Sequence, residues 1–362
     1  MTSGLEGVVA AETVLSHVDG ENGRLIIRGR ELDDIAGKIS FEEVCALLWE
    51  GLAEPDLPEK DLREVLGTAR VAVWPLAQKV FTLCRETPAL SLIEGLRLGL
   101  SALSDQDKLP HHLLVTAMVP VMTAGLIRIR NGQEPVAPDE ALSHAADFLA
   151  MMTARPPKRL QAHALDTYLS AVCDHGLNAS TFTARVIAST QAGMISSVIG
   201  GLCALKGPLH GGAPGPVLDM LDEIGDEKGI RPWLERQLDQ GERLMGFGHR
   251  IYKVRDPRAD VLKGAVRLLS GDDNNRIALA EKVEQVALEV LAERKPGRRL
   301  ETNVEFYTAL LLEALSIPRE AFTPVFAIGR TAGWVAHILE QERVGRIIRP
   351  SSVYIGPEPL AA

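Results

Sequence analysis

Three histidines in this chain have glycine or charge for neighbours: His210 in KGPLHGGAPGPV, His175 in CDHGLNAST and His249 in MGFGHRIYKVRDPRAD. The glycines after His210 allow close backbone approach, while Pro208, Pro214 and Pro216 restrict how far the turn can wander. An imidazole held on such a turn suits acid–base or hydrogen-bonding chemistry near neutral pH, although a Gly/Pro-flanked histidine is as often a plain loop residue. Charge is densest around His249, where Arg250, Lys253, Arg255 and Arg258 follow within nine residues. Four cations in that spacing suit carboxylates or phosphates, and a solvated basic loop would show the same pattern. Glu305, in TNVEFYTA, falls at an expected helix start, where the helix dipole favours a carboxylate with or without chemistry. His17, His111, His112, His144, His163 and His337 sit on expected helix or strand faces without such company and read as structural or surface residues. The patterns GxxxxGK[ST], GxGxxG and HExxH are absent.

The elements that must position these groups are mostly helical. After a segment at 7–29 whose alternation around Asp19-Gly20 predicts one or two short strands, apolar residues recur at three- and four-residue spacing over 32–51, 59–80, 92–104 and 111–130. Helices are then expected over 165–173, as one long piece over 179–205, and over 214–225, 231–240, 260–269, 276–294, 303–315 and 324–342. Pro- and Gly-containing breaks separate them. The economical reading is an all-α protein: a large helical domain (1–210 with 317–362), a smaller helical domain inserted between (211–316), and a short N-terminal β segment.

Bulk properties bound the function. A chain of 362 residues exceeds what one core usually supports, which agrees with two domains. A formal charge of −9 argues against generic nucleic-acid binding, so any anionic substrate must meet a local cluster of Arg and His. The four cysteines are scattered without a CxxC pair, suggesting neither a zinc site nor a disulfide framework. The first residues carry neither a basic run nor a long apolar run, and a cytoplasmic location is expected. The stretch nearest to a membrane span, 187–205, holds too many Ser, Thr and Gln residues and fits a closely packed helix better.

Taken together and in order, the segments resemble the citrate synthase family. HVDGENGRLIIRG and FEEVCALLWEG match its opening, DHGLNASTF its oxaloacetate segment, and GPLHGGA its first catalytic histidine. GFGHRIYK followed by DPRA matches its second histidine, NVEFYTALLLEAL its carboxylate segment, and FTPVFAIGRTAGWVAHILEQ with IIRP its close. The resemblance implies a homodimeric or larger all-helical transferase of the tricarboxylic acid cycle, with no metal and no cofactor beyond its acyl-CoA substrate. It implies that His175, Arg258, Arg330 and, from a second subunit, Arg349 hold oxaloacetate. His249 would polarise the ketone, His210 would hydrogen-bond the acetyl-CoA enolate, and Glu305 would be the base. Coenzyme A would lie on the backbone of Leu244, Met245, Gly246, Phe247 and Gly248, with Lys253 near its phosphates. Gly211, Gly212 and Gly215 are the expected hinge.

Three positions depart from the family pattern: Pro214 stands where Asn is common, Gly176 where Glu is frequent, and Glu305 where the base is Asp. The extra methylene of Glu305 adds about 1.5 Å of reach. Citrate synthesis, 2-methylcitrate synthesis from propionyl-CoA, and a weakly active regulatory paralogue all stay open, the last on Glu305 alone.

Overall fold

A computed structural model describes residues 3–5, 7–54, 59–210, 214–249, 251–270 and 275–357. The fold is all-helical apart from an N-terminal antiparallel sheet of three strands, β1 (Ser16–Asp19), β2 (Arg24–Ile27) and β3 (Arg30–Glu31), in sequential order. Ser16 pairs with Ile27 and Ile26 with Glu31. The third strand exceeds the expected one or two. It follows from a second tight turn, in which Arg28 and Gly29 both take positive φ (50° and 79°). The Arg28 side chain donates to Leu47 O (3.1 Å) and Glu50 O (2.6 Å), tying that turn down.

The first nine helices, the last two of which flank the His210 turn in the chain, are α1 (Phe41–Trp49), α2 (Glu59–Glu86), α3 (Leu92–Ser101), α4 (His111–Arg130), α5 (His144–Thr153), α6 (Arg159–Ala171), α7 (Ala179–Ala188), α8 (Met194–Leu205) and α9 (Pro214–Ile224). The chain continues through α10 (Ile230–Asp239), α11 (Pro257–Ser270), α12 (Asn275–Arg294), α13 (Val304–Ala314) and α14 (Phe322–Val344). Their boundaries are set by side chains. Ser40 and Glu43 form a reciprocal capping box at α1, Asn178 caps α7 through Ser180 N and Thr181 N, and Asn303 caps α13 through Glu305 N.

Four helix expectations need correction. The stretch 32–51 is helical only from Phe41, because Gly37 (φ 75°) and the Ser40 cap restart the chain after a short 3-10 turn, Leu32–Asp34. The helix expected over 59–80 continues to Glu86, its added turns burying Phe81 and Cys84, and it stops two residues before Pro88. The helix expected from 165 begins at Arg159, directly after the Pro156-Pro157 break. The single helix expected over 179–205 is a hairpin of α7 and α8. Gln191 and Gly193 take φ of 62° and 85°, and Ser189 and Thr190 turn their hydroxyls onto Val186 O and Ile187 O. Gly200 lets the two helices meet, since a Cβ there would lie 2.1 Å from Ile187 Cδ1.

The core runs through α4 and α14, which pack against each other. Among the described residues α4 is the one helix long and apolar enough to cross a membrane, and 89% of its apolar window is buried inside the fold. Its hydroxyls are satisfied within the helix, Thr116 on His112 O and Thr123 on Val119 O. The helices α9 to α13 pack largely on one another, and both α11 and α13 also pack on α6. The β1–β2 turn closes against the segment after His249: Lys253 N donates to Gly20 O (2.8 Å), and a Cβ on Gly20 would lie 2.3 Å from Ile251 O. A glycine is required there.

Candidate active site

Three segments converge where α6, α11, α13 and α14 meet. His175 follows α6 and is held from behind by Asp174, a buried carboxylate that accepts from Ser16 Oγ on β1 and from His337 Nε2 on α14 (3.3 Å). Arg185 donates to His337 Nδ1 (3.0 Å), so the His337 proton is on Nε2, toward Asp174. His175 Nε2 lies 3.2 Å from the Tyr252 hydroxyl. Burial, then Arg258, Arg330 and His249, hold its pKa well below the ordinary histidine value. It is a neutral ring.

His249 stands next to it, ring centroids 5.6 Å apart, and both rings meet Tyr252, His175 edge-on at 5.5 Å and His249 tilted at 4.9 Å. Its Nδ1 accepts from Ile251 N (3.0 Å) and Tyr252 N (3.1 Å). A nitrogen that accepts two backbone N–H groups carries no proton, so the neutral ring presents Nε2–H as a donor. Burial, then Arg258, lowers its pKa to about 4.

Gly246 and Gly248 shape the loop before His249. Their φ values are 86° and 79°, and a Cβ on Gly246 would lie 2.8 Å from the Phe306 ring. The loop is laced to the start of α13: Gly248 N donates to Glu301 O (2.7 Å), Asn303 N to Gly246 O (2.9 Å), and Asn303 Nδ2 to Gly248 O (2.8 Å). Asn303 therefore caps the helix that carries Glu305 while gripping the loop that carries His249. Leu244 is buried, Met245 and Phe247 are half-buried, and Lys253 is exposed.

Glu305 lies in the first turn of α13. Burial raises its carboxyl to about 7, with Arg258 opposing and Asp256 adding to the rise. Among the described residues that carboxyl makes no hydrogen bond or ion pair. Arg258, buried on α11, is gripped by Asp256 through Nε (3.0 Å) and Nη2 (2.8 Å), and Asp256 also accepts from Val304 N (3.2 Å). One aspartate thus fixes the arginine and the start of α13 together. Arg330, buried on α14, donates Nε to Val172 O (2.7 Å) and lies over the Phe326 ring at 4.7 Å. It forms no ion pair among the described residues, and burial lowers its pKa to about 10. It is still a cation at neutral pH, with donors to spare for an anionic ligand.

His210 reaches this group from the end of α8. Its Nε2 lies 2.8 Å from Ser180 Oγ, which also accepts from Trp334 Nε1 (3.1 Å) and lies 2.8 Å from Asn178 Oδ1. The single Ser180 proton chooses between Asn178 and His210. Burial, then Arg330, lowers His210 to about 4, so it too is neutral at pH 7.

The structure brings His175, His210, His249, Arg258, Arg330 and Glu305 together, and it divides the basic run after His249. Arg255 is paired with Asp260 (2.6 Å) and Glu284 (2.9 Å) and is not available to a ligand, Arg258 is half committed to Asp256, and Arg250 lies outside the described residues. So do Gly211 and Gly212, whereas Gly215 lies in the first turn of α9 with open space around its Cα. Arg349 is exposed on the segment after α14, and no hydrogen bond or ion pair among the described residues joins it to the other site residues. Sequence reasoning missed Ser180, Tyr252 and Asp256 as partners, although each stands within five residues of a recognised histidine or arginine. Gly176, at φ 60°, takes a left-handed turn and donates its N–H to Ser16 Oγ (3.1 Å). No group of three or more His, Cys, Asp or Glu among the described residues is arranged to hold a metal ion. A cavity of about 250 Å³ between α2, α3 and α4, lined by Cys84, Arg85 and Arg130 among others, shares no residue with this cluster.

The chain matches the family model "Citrate synthase, C-terminal domain" over residues 4–351. It is 38% identical over 364 residues to the putative citrate synthase 2 of Mycobacterium tuberculosis, covering 98% of this chain and 93% of that one. It is 38% identical over 374 residues to the citrate synthase of Haloferax volcanii, covering 99% and 96%. Among solved structures it is similar to citrate synthase from Thermotoga maritima, with a TM-score of 0.86, 33% identity, and 100% and 98% of the two chains covered. It is likewise similar to the Thermoplasma acidophilum citrate synthase in ternary complex with carboxymethyl coenzyme A and oxaloacetate, with a TM-score of 0.86, 28% identity and coverage of 100% and 98%.

Proposed function

This chain belongs to the citrate synthase family, and from that premise we propose that it condenses acetyl-CoA with oxaloacetate and hydrolyses the product thioester to citrate and CoA. The observation that carries the reading is the juxtaposition of an unpaired buried arginine, a histidine with a fixed Nε2–H, and an uncommitted carboxyl poised near pH 7.

Arg330 and the free edge of Arg258 receive the oxaloacetate carboxylates, with His175 beside them and Arg349 of a second copy completing the set. His249 donates Nε2–H to the ketone oxygen. Glu305, ionised, removes a proton from the acetyl methyl group. Thioester methyl protons are weakly acidic, so the forming enolate needs a donor that acts as charge develops. His210 supplies it from Nδ1 when the Ser180 proton is turned onto Nε2, with Trp334 Nε1–H filling the Ser180 oxygen from the other side. The enolate carbon then bonds to the ketone carbon, whose oxygen takes the His249 Nε2 proton; water returns a proton to His249 as its hydroxide attacks the thioester carbon, and the CoA thiolate leaves with the proton that Glu305 took from the methyl group. The backbone from Leu244 to Gly248 and the exposed Lys253 hold coenzyme A. Residues 211–316 act as a small domain closing on 1–210 and 317–362, excluding water from the thioester intermediate.

A thiol-release assay with oxaloacetate and either acetyl-CoA or propionyl-CoA tests this. CoA release is expected to be faster with acetyl-CoA. Faster release with propionyl-CoA would make the enzyme a 2-methylcitrate synthase, and oxaloacetate binding without turnover of either thioester would rule out both syntheses.

A further inference from the structure

Among the buried polar groups that the mechanism leaves unused, one faces its charged residues. Tyr168, on α6, is fully buried, and its hydroxyl has no hydrogen-bond partner among the described residues. Such a group costs the folded protein free energy unless something satisfies it. It lies one helical turn before Val172, whose carbonyl holds Arg330, and the charged groups acting on it are Glu305, Arg330 and Arg258. Both arginines are donors only, so among these three only the Glu305 carboxyl can accept a proton from the tyrosine. That carboxyl is likewise without a partner among the described residues. The two helices that bear them, α6 and α13, are in contact.

We infer that Tyr168 is a positioning residue for Glu305, donating its O–H to the carboxylate once the substrates are bound. The inference rests on reading Glu305 as the base. It gives the carboxylate of a longer side chain a fixed direction, and it explains why an unsatisfied hydroxyl is kept in a core position that phenylalanine would fill. The other charged groups acting on Glu305 are Arg258 on α11 and Asp256 just before it. Neither changes in the test below.

Tyr168→Phe keeps the ring and removes only the donor. With no bond lost in the ligand-free protein, its melting temperature is expected to be unchanged or higher; a lower value would mean that the hydroxyl is structural and would overturn the inference. Its kcat is expected to fall about tenfold, the scale of a lost hydrogen bond to a charged group, with oxaloacetate affinity unchanged. Because the lost bond favoured the ionised carboxylate, the acidic limb of kcat moves up by about one pH unit. An unmoved limb overturns the inference, and weaker oxaloacetate binding with an unmoved limb would reassign the hydroxyl to the substrate. Infrared titration of the Glu305 carboxyl with oxaloacetate bound, identified by its loss in Glu305→Gln, reads the same shift without turnover. Normal turnover by Glu305→Gln would instead remove Glu305 as the base, a failure distinct from that of Tyr168.

Discussion

Deprotonating a thioester asks opposite things of two neutral-pH side chains, and burial serves both. Glu305 must be basic enough to take a carbon-bound proton, and loss of solvent lifts it to about 7. His210 must donate without being an imidazolium, and burial beside Arg330 keeps it neutral, with a pKa of about 4. The Ser180 proton, when it turns from Asn178 Oδ1 to His210 Nε2, leaves the ring proton on Nδ1. His210→Ala is expected to lower kcat by roughly 100- to 1000-fold, the usual loss for one donor at a developing oxyanion. Oxaloacetate affinity, which rests on His175 and the arginines, should stay close to that of the parent protein in a calorimetric titration. A variant with near-normal kcat would leave His210 without its enolate role.

At the scale of elements, the site depends on keeping the His249 loop and α13 in register, and two carboxylates do this. Asp256 joins Arg258 to the first turn of α13. Glu284, buried on α12, accepts from Arg255 (2.9 Å) in the loop, Lys263 (2.8 Å) on α11, Thr302 (2.7 Å) before α13 and Tyr307 (2.5 Å) on it. Burial opposes the charge of Glu284, but the bonds from Lys263, Tyr307 and Thr302 and the charge of Arg255 outweigh it, lowering its pKa to about 2. A depressed carboxylate pKa stabilises the fold above the unfolded-state value of 4.5, and that stability is lost as pH falls from there toward 2. Glu284→Gln is therefore expected to cost about 3 kcal/mol at pH 7, measured by urea denaturation. The gap between parent and variant should narrow as pH falls from about 4.5 toward 2, where the unfolded parent takes up a proton that the folded protein still excludes. A gap that is constant with pH would show that shape, not charge, holds the cluster.

For the whole molecule, exposed apolar residues occur along the chain, Leu83, Leu160 and Leu209 among them, and gather most closely near its two ends. Val8, Val9 and Val14 precede the sheet, and Ile347, Val353, Tyr354 and Ile355 follow α14 in an extended segment that also carries Arg349. Apolar side chains left exposed on such segments suit a second copy. Light scattering is expected to give about twice the chain mass of 39.2 kDa. Arg349→Ala should leave that mass unchanged while weakening oxaloacetate binding, because the arginine would complete the site of the neighbouring subunit. A stable, fully active monomer would contradict a shared site.

Much of this protein was legible in the order of its residues. Helix positions followed from apolar spacing, because a helix repeats its buried face every three to four residues wherever it lies in the fold. The histidines at 175, 210 and 249 stood out because glycine and charge around them broke that repeat. The misreadings have a common cause. The segments 32–51 and 179–205 keep helical spacing across points where positive φ at Gly37, Gln191 and Gly193 turns the chain, and spacing does not report φ. Only the tertiary structure decided which cations are available, since Arg255 and Arg330 look alike in sequence. One faces Glu284 and Asp260, while the other is buried with no ion pair among the described residues. The same holds for the tautomer of His249 and the enclosure of the Glu305 carboxyl. Hydrogen-bond direction and desolvation depend on groups that are far apart in the chain and adjacent only once it is folded.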